Sequence, residues 1–125
     1  MIRRVALLEV KQDVRDAAVI VSVGGEIDTG TVETLVSHLD TALKTASEHP
    51  ARLLVLDLAD VTYFGSAGLN AILGCYEQGR TDGVSVRIVA SHAEVNIPME
   101  VTKLDNVLTP YRTVSDALDG ADGSQ

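Results

Sequence analysis

Apolar residues recur with two different periods along this chain, and the switches between those periods mark its elements. Val19, Val21 and Val23 alternate with their neighbours, which predicts a strand over Ala18–Val23. A β-rich run at Val5–Val10 precedes it, and the polar stretch Lys11–Asp16 between them predicts a hairpin with its loop near Asp13. After Gly24-Gly25-Glu26-Ile27-Asp28 the period lengthens. Val32, Leu35, Val36, Leu39, Leu43 and Ala46 share one face of a helix that opens with Thr and Gly and has Pro50 just beyond its end.

Leu53–Leu58 is apolar except at Asp57, as expected of a central strand covered on both faces and paired in parallel. Leu69, Ile72, Leu73 and Tyr76 predict a second helix over Ser66–Gln78, with a turn at Gly79–Gly83. Val84, Val86 and Ile88 then begin another strand. Ser91 and Glu94 have the spacing of a capping box for a third helix, which Pro98 would kink or shorten. Val107-Leu108 reads as a short last strand, and Thr113 with Asp116 caps a final helix carrying Val114, Ala117 and Leu118. The 125 residues therefore read as one domain over 1–118 and a flexible tail over 119–125.

Composition narrows the function. Acidic residues outnumber basic ones by 18 to 10, and a formal charge of -8 repels nucleic-acid backbones and anionic headgroups, so neither direct DNA binding nor membrane association is expected. With three Tyr, one Phe and no Trp, the chain has no aromatic platform for single-stranded nucleic acid. The run Val5-Ala6-Leu7-Leu8 stops at Glu9, too short for a signal-peptide core, and the lone Cys75 reads as a buried small hydrophobe; both fit a cytoplasmic protein.

The most distinctive stretch is Tyr63-Phe64-Gly65-Ser66-Ala67-Gly68-Leu69, which sets a hydroxyl between two glycines where a strand gives way to a helix. Ser66 reads as an N-cap, in a position where a phosphate would be held by free N–H groups and the helix dipole. A nucleophile elbow would need glycine two residues before the serine, where Phe64 stands. No dinucleotide fingerprint or P-loop occurs, and His38, His49 and His92 are dispersed like solvated histidines; no cofactor or metal is expected. A receiver domain phosphorylated on Asp57 would need an acidic pair after the first strand, which is missing; Asp57 reads instead as a hydrogen-bonded carboxylate at a strand end.

Two linked blocks change the weighting. Gly25-Glu26-Ile27-Asp28 followed by Val32-Glu33-Thr34-Leu35, and the strand Leu53–Leu58 leading to Gly65-Ser66-Ala67-Gly68-Leu69, resemble the STAS domain of stand-alone bacterial anti-sigma factor antagonists over nearly the whole chain. The resemblance implies an α/β fold with a mixed sheet and about four helices mainly on one face. It also implies a binding switch rather than an enzyme: the unmodified protein binds an anti-sigma factor and frees the sigma factor. Phosphorylation of Ser66 by that serine kinase-type ATPase would end binding, and a PP2C-type phosphatase would restore it. Glu26, Asp28, Thr29, Gly65, Ser66, Gly68 and Leu69 are the implied partner-binding residues, within edges formed by Gly25–Thr31 and Tyr63–Leu69.

On local preference Asp28 reads equally well as a turn or cap residue; as part of the partner surface it is expected to act as an exposed charge whose removal weakens binding with little effect on stability. Family members usually carry aspartate before the phosphoacceptor; Gly65 removes that charge and a hydrogen-bond acceptor, and accepts a backbone angle that aspartate would adopt only at some cost. That departure favours an alternative, a constitutive STAS interaction module that is never phosphorylated. A small serine hydrolase is the third reading.

Overall fold

The computed structural model describes residues 8–119. Four strands form one sheet in the order β1-β2-β3-β4: β1 (Leu8–Val14), β2 (Val19–Ile27), β3 (Leu53–Phe64) and β4 (Ser85–Val89). β1 is antiparallel to β2, whereas β2–β3 and β3–β4 are parallel, so the sheet is mixed and β3 is interior. Helices α1 (Val32–Ser47), α2 (Ser66–Asp82), α3 (Ala93–Val101), α4 (Asp105–Leu108) and α5 (Val114–Asp119) complete the described chain.

Alternation along β2 and β3 divides the sheet into two faces. Val19, Val21, Val23, Leu54, Leu56 and Leu58 point toward Leu35, Leu39, Ile72, Val95 and Met99 of α1, α2 and α3, and Leu108 of α4 joins that core. On the other side Ala18, Ile20, Leu53, Val55 and Val89 pack with Ala117 of α5. Four helices thus cover one face and a short one covers part of the other. No described helix is long and apolar enough to cross a membrane.

β3 runs six residues past the expected Leu58, because two register shifts break the simple alternation. Ser22 pairs with Asp57 but Gly24 with Asp60, and Gly25 pairs with Val61 but Glu26 with Tyr63. Each step puts one extra residue into β3, so core positions fall three apart at Leu58, Val61 and Phe64. Asp57 is therefore in mid-strand and not at a strand end, and its carboxylate accepts a hydrogen bond from the Ala59 N–H (3.0 Å) at the first bulge.

Other boundaries move as well. β1 extends to Val14, with Lys11, Gln12 and Asp13 paired to β2, and the hairpin closes later, through the Arg15 N–H on the Ala18 carbonyl (2.9 Å). Val5–Leu7 and the tail beyond Asp119 lie outside the described residues. Gly79 belongs to α2 and not to a turn: a Cβ there would sit 2.6 Å from Val86 Cγ2, so glycine permits close helix–strand packing. The helix stops at Gly83, whose φ of 76° and the Val84 N–H bond to Gly79 (2.7 Å) form a left-handed C-terminal cap.

The Ser91–Glu94 capping box does not form. His92 caps α3, its ring Nε2 lies 2.8 Å from the Val61 carbonyl, and that tether fixes where the helix begins. His92 is accordingly a partly buried tether and not a solvated histidine. α3 continues past Pro98 to Val101. Val107-Leu108 are helical instead of extended, with Leu108 buried and Val107 exposed; the sheet is met by Tyr111, which bridges Val89. Thr113 does cap α5, its Oγ1 accepting the Asp116 N–H at 3.0 Å.

Candidate functional site

Parallel pairing of β2 and β3 brings the two motif-bearing loops to the same edge of the sheet, at the C-terminal ends of adjacent strands. The ladder's last rung is Ile27 beside Phe64, and the Gly65 N–H then donates to the Ile27 carbonyl at 3.0 Å. The loop after β2 and the start of α2 are thereby held side by side. Ile27 is fully buried, and its side chain rests against Gly68 on the first turn of α2.

Ser66 is exposed and is the first residue of α2, whereas Gly65 is the N-cap, with no side-chain cap. The N-cap reading of Ser66 is thus displaced by one residue, and its hydroxyl is free to face solvent. The Gly68 and Leu69 N–H groups close onto the Gly65 carbonyl at 3.0 and 3.1 Å. The N–H groups of Ser66 and Ala67 stand ahead of that first helical bond, at the positive end of a 17-residue helix.

Asp28 is half-buried rather than a free surface charge. Its Oδ1 accepts from the Gly30 N–H at 2.8 Å and the Thr31 N–H at 3.1 Å, while its own N–H donates to Thr31 Oγ1 at 3.0 Å. Thr31 Oγ1 in turn donates to the Glu26 carbonyl at 2.7 Å. This closed turn sets the entry to α1 and leaves Thr29 exposed at its tip. Removing the carboxylate leaves the Gly30 N–H without its acceptor and the Thr31 N–H with only the Asp28 carbonyl at 3.2 Å, so Asp28→Ala is expected to cost about 1 kcal/mol, as loss of a capping side chain does. Asp28→Asn keeps the acceptor and should melt close to wild type. An unchanged melting temperature for the alanine variant would restore the view of Asp28 as a mere surface charge.

The remaining residues divide by burial. Gly68 and Leu69 are buried on the inner side of the turn, where they fix its position, while Gly65, Thr29 and Ser66 lie toward solvent. Gly65 has φ −87° and ψ 179°, extended backbone open to any residue, so conformational freedom does not account for the glycine. The space over it is tight: a Cβ at position 65 would lie 3.2 Å from Tyr63 Cε2 and 3.3 Å from its hydroxyl oxygen, so the ring would have to shift to admit one. Sequence reasoning placed Tyr63 inside the edge but gave its side chain no role.

Beside this edge lies an apolar groove of about 360 Å³, lined by Tyr63, Phe64, Ala93, Ile97 and Pro98 together with Thr62 and Glu94. Elsewhere, burial and the nearby Asp40 charge push the Cys75 thiol up to about 12, leaving it neutral and unreactive at neutral pH. Nε2 of His49 and Nε2 of His92 meet the backbone carbonyls of Arg15 and Val61, not Ser66.

The chain and its fold have counterparts among known proteins. Over 106 residues the chain is 30% identical to the anti-sigma-F factor antagonist RsfB of Mycobacterium tuberculosis, covering 85% of this chain and 83% of that protein. The crystal structure of an anti-sigma factor antagonist from Mycobacterium paratuberculosis superposes with a TM-score of 0.81 at 28% identity, covering 90% of this chain and 92% of that one. The Bacillus cell fate determinant SpoIIAA in its phosphorylated form shares the fold, with a TM-score of 0.65 at 15% identity over 89% of this chain and 97% of its own. The STAS domain model matches residues 8–117, nearly all of the described chain, and the protein therefore belongs to the STAS domain family.

Proposed function

We propose that the protein is an anti-sigma factor antagonist that binds an anti-sigma factor through the edge formed by Gly25–Thr31 and Tyr63–Leu69, and so frees the sigma factor. The carrying observation is the Gly65–Ile27 hydrogen bond of 3.0 Å, which keeps the two loops together with Ser66 exposed between them. The names of the mycobacterial relatives support the same role.

In this reading Ser66 is the regulatory position. Phosphorylation by a serine kinase-type ATPase, the anti-sigma factor itself, adds about 1.5 to 2 negative charges to the first turn of α2. The helix terminus tolerates that charge, but a partner packed over it does not. A PP2C-type phosphatase would reset the protein, and the cycle would run in the cytoplasm.

The test mixes the wild-type chain with each ATPase of the anti-sigma type from the same genome, loaded with its sigma factor, and follows sigma release by native gel and calorimetry. Release by at least one of them is expected. Absence of binding to all of them would overturn the antagonist role. Binding with no added phosphate on intact-mass measurement would leave the antagonist and remove the switch, which is the constitutive-module reading.

A further inference from the structure

Two features of the edge are left unexplained by a phosphorylated serine alone: a glycine whose backbone does not need to be glycine, and a large aromatic side chain standing in water. Tyr63 is 54% exposed, while Phe64 is buried and Tyr76 and Tyr111 are half-buried. The chain has only four aromatic residues, and the one most exposed to solvent lies three residues before Ser66. An exposed Tyr ring carries large contact area with few rotatable bonds, which is why Tyr is enriched among residues that dominate interfaces.

The second bulge of β3 accounts for its direction. With the extra residue inserted between Val61 and Tyr63, Phe64 takes the core position and Tyr63 turns outward. Its ring edge and hydroxyl then lie against Gly65, in the space that any side chain at 65 would enter. The same ring forms one wall of the apolar groove that continues to Ile97, itself 54% exposed.

We propose that Tyr63 is a specificity-determining side chain of the docking edge, its ring occupying the place of a side chain before Ser66, and that position 65 is glycine because the ring lies on it. The proposal rests on the antagonist reading for the identity of the partner. It makes the pair Tyr63–Gly65 one recognition unit. A partner suited to it meets an uncharged aromatic surface beside Ser66, where an aspartate at position 65 would offer a carboxylate.

Calorimetry with the anti-sigma factor identified by sigma release separates the two levels of inference. Tyr63→Ala should bind at least tenfold more weakly while melting within a few degrees of wild type, because a half-exposed side chain contributes little to the core. Tyr63→Phe should stay within about threefold, since the ring makes the contact. Gly65→Asp should weaken binding by a similar factor in the wild-type background. In the Tyr63→Ala background it should add little, the non-additivity expected of two groups sharing one space. If the wild-type chain binds no anti-sigma factor, the antagonist reading fails. If it binds and Tyr63→Ala binds equally well, or if the two substitutions are simply additive, the Tyr63 proposal alone falls.

Discussion

A Ser66→Asp variant is expected to melt at or slightly above the wild-type temperature and yet bind its anti-sigma factor at least tenfold less tightly. The two effects have opposite signs because the added charge meets two environments. Within the protein it lies on the first turn of a 17-residue helix, where free N–H groups and the helix dipole favour an anion by about 0.3–1 kcal/mol. In a complex it would be sealed beneath a partner covering Tyr63, Ala67 and the neighbouring groove. Dehydrating a carboxylate without a counter-charge costs far more than the dipole returns. A tenfold loss corresponds to about 1.4 kcal/mol, a small part of that penalty. Unchanged affinity would remove Ser66 from the interface, and a large drop in melting temperature would show that it is a structural residue.

The largest stability effect is expected at Gly68. A Cβ built there would approach Ile27 Cγ2 to 2.6 Å and Phe64 Cε1 and Cδ1 to 2.9 and 3.0 Å. Both neighbours are core side chains, exposed by no more than 4%, so neither has room to withdraw. Overpacking of this kind costs about 1–3 kcal/mol, and a branched side chain belongs at the upper end. Gly68→Val should therefore lower the melting temperature by roughly 10 °C, and partner binding should suffer with it, because Gly68 fixes the first turn of α2 against the end of β2. Gly74 supplies the internal control. It lies in the same helix with nothing beyond its own turns of helix within 4 Å of a built Cβ, and alanine there should stabilise the protein by about 0.5–1 kcal/mol. If thermal unfolding moves the same way for both glycines, close packing at Gly68 is not the reason for its identity.

Much of the site was legible in the sequence because local patterns specify it. The helical face of Leu35, Leu39, Leu43 and Ala46, and the glycine-flanked serine at the start of α2, depend on short-range spacing, and both are found where the spacing puts them. What escaped were features set by tertiary partners. Residues 59–64 look irregular by period-two alternation, because the bulges of β3 are defined only against the register of β2. Gly79 resembles a turn residue until Val86 is seen packed on it. The start of α3 depends on His92 reaching Val61, which is 31 residues distant. The turn role of Asp28 is half legible in its local preference, but the ring that Thr31 and Glu26 close around it is not. Gly65 likewise suggests a special backbone angle, whereas its backbone is extended and its close neighbour is the ring of Tyr63.

The amide of Gly65, joined to Ile27 at the very end of the parallel ladder, lies one residue from Ser66 and belongs to both loops at once. It is in effect a built-in gauge. Anything that pries the loops apart must first release this proton to solvent, and anything that clamps them must shield it, so deuterium uptake at one backbone position reports whether the edge is opened or locked when its serine is modified or its partner arrives.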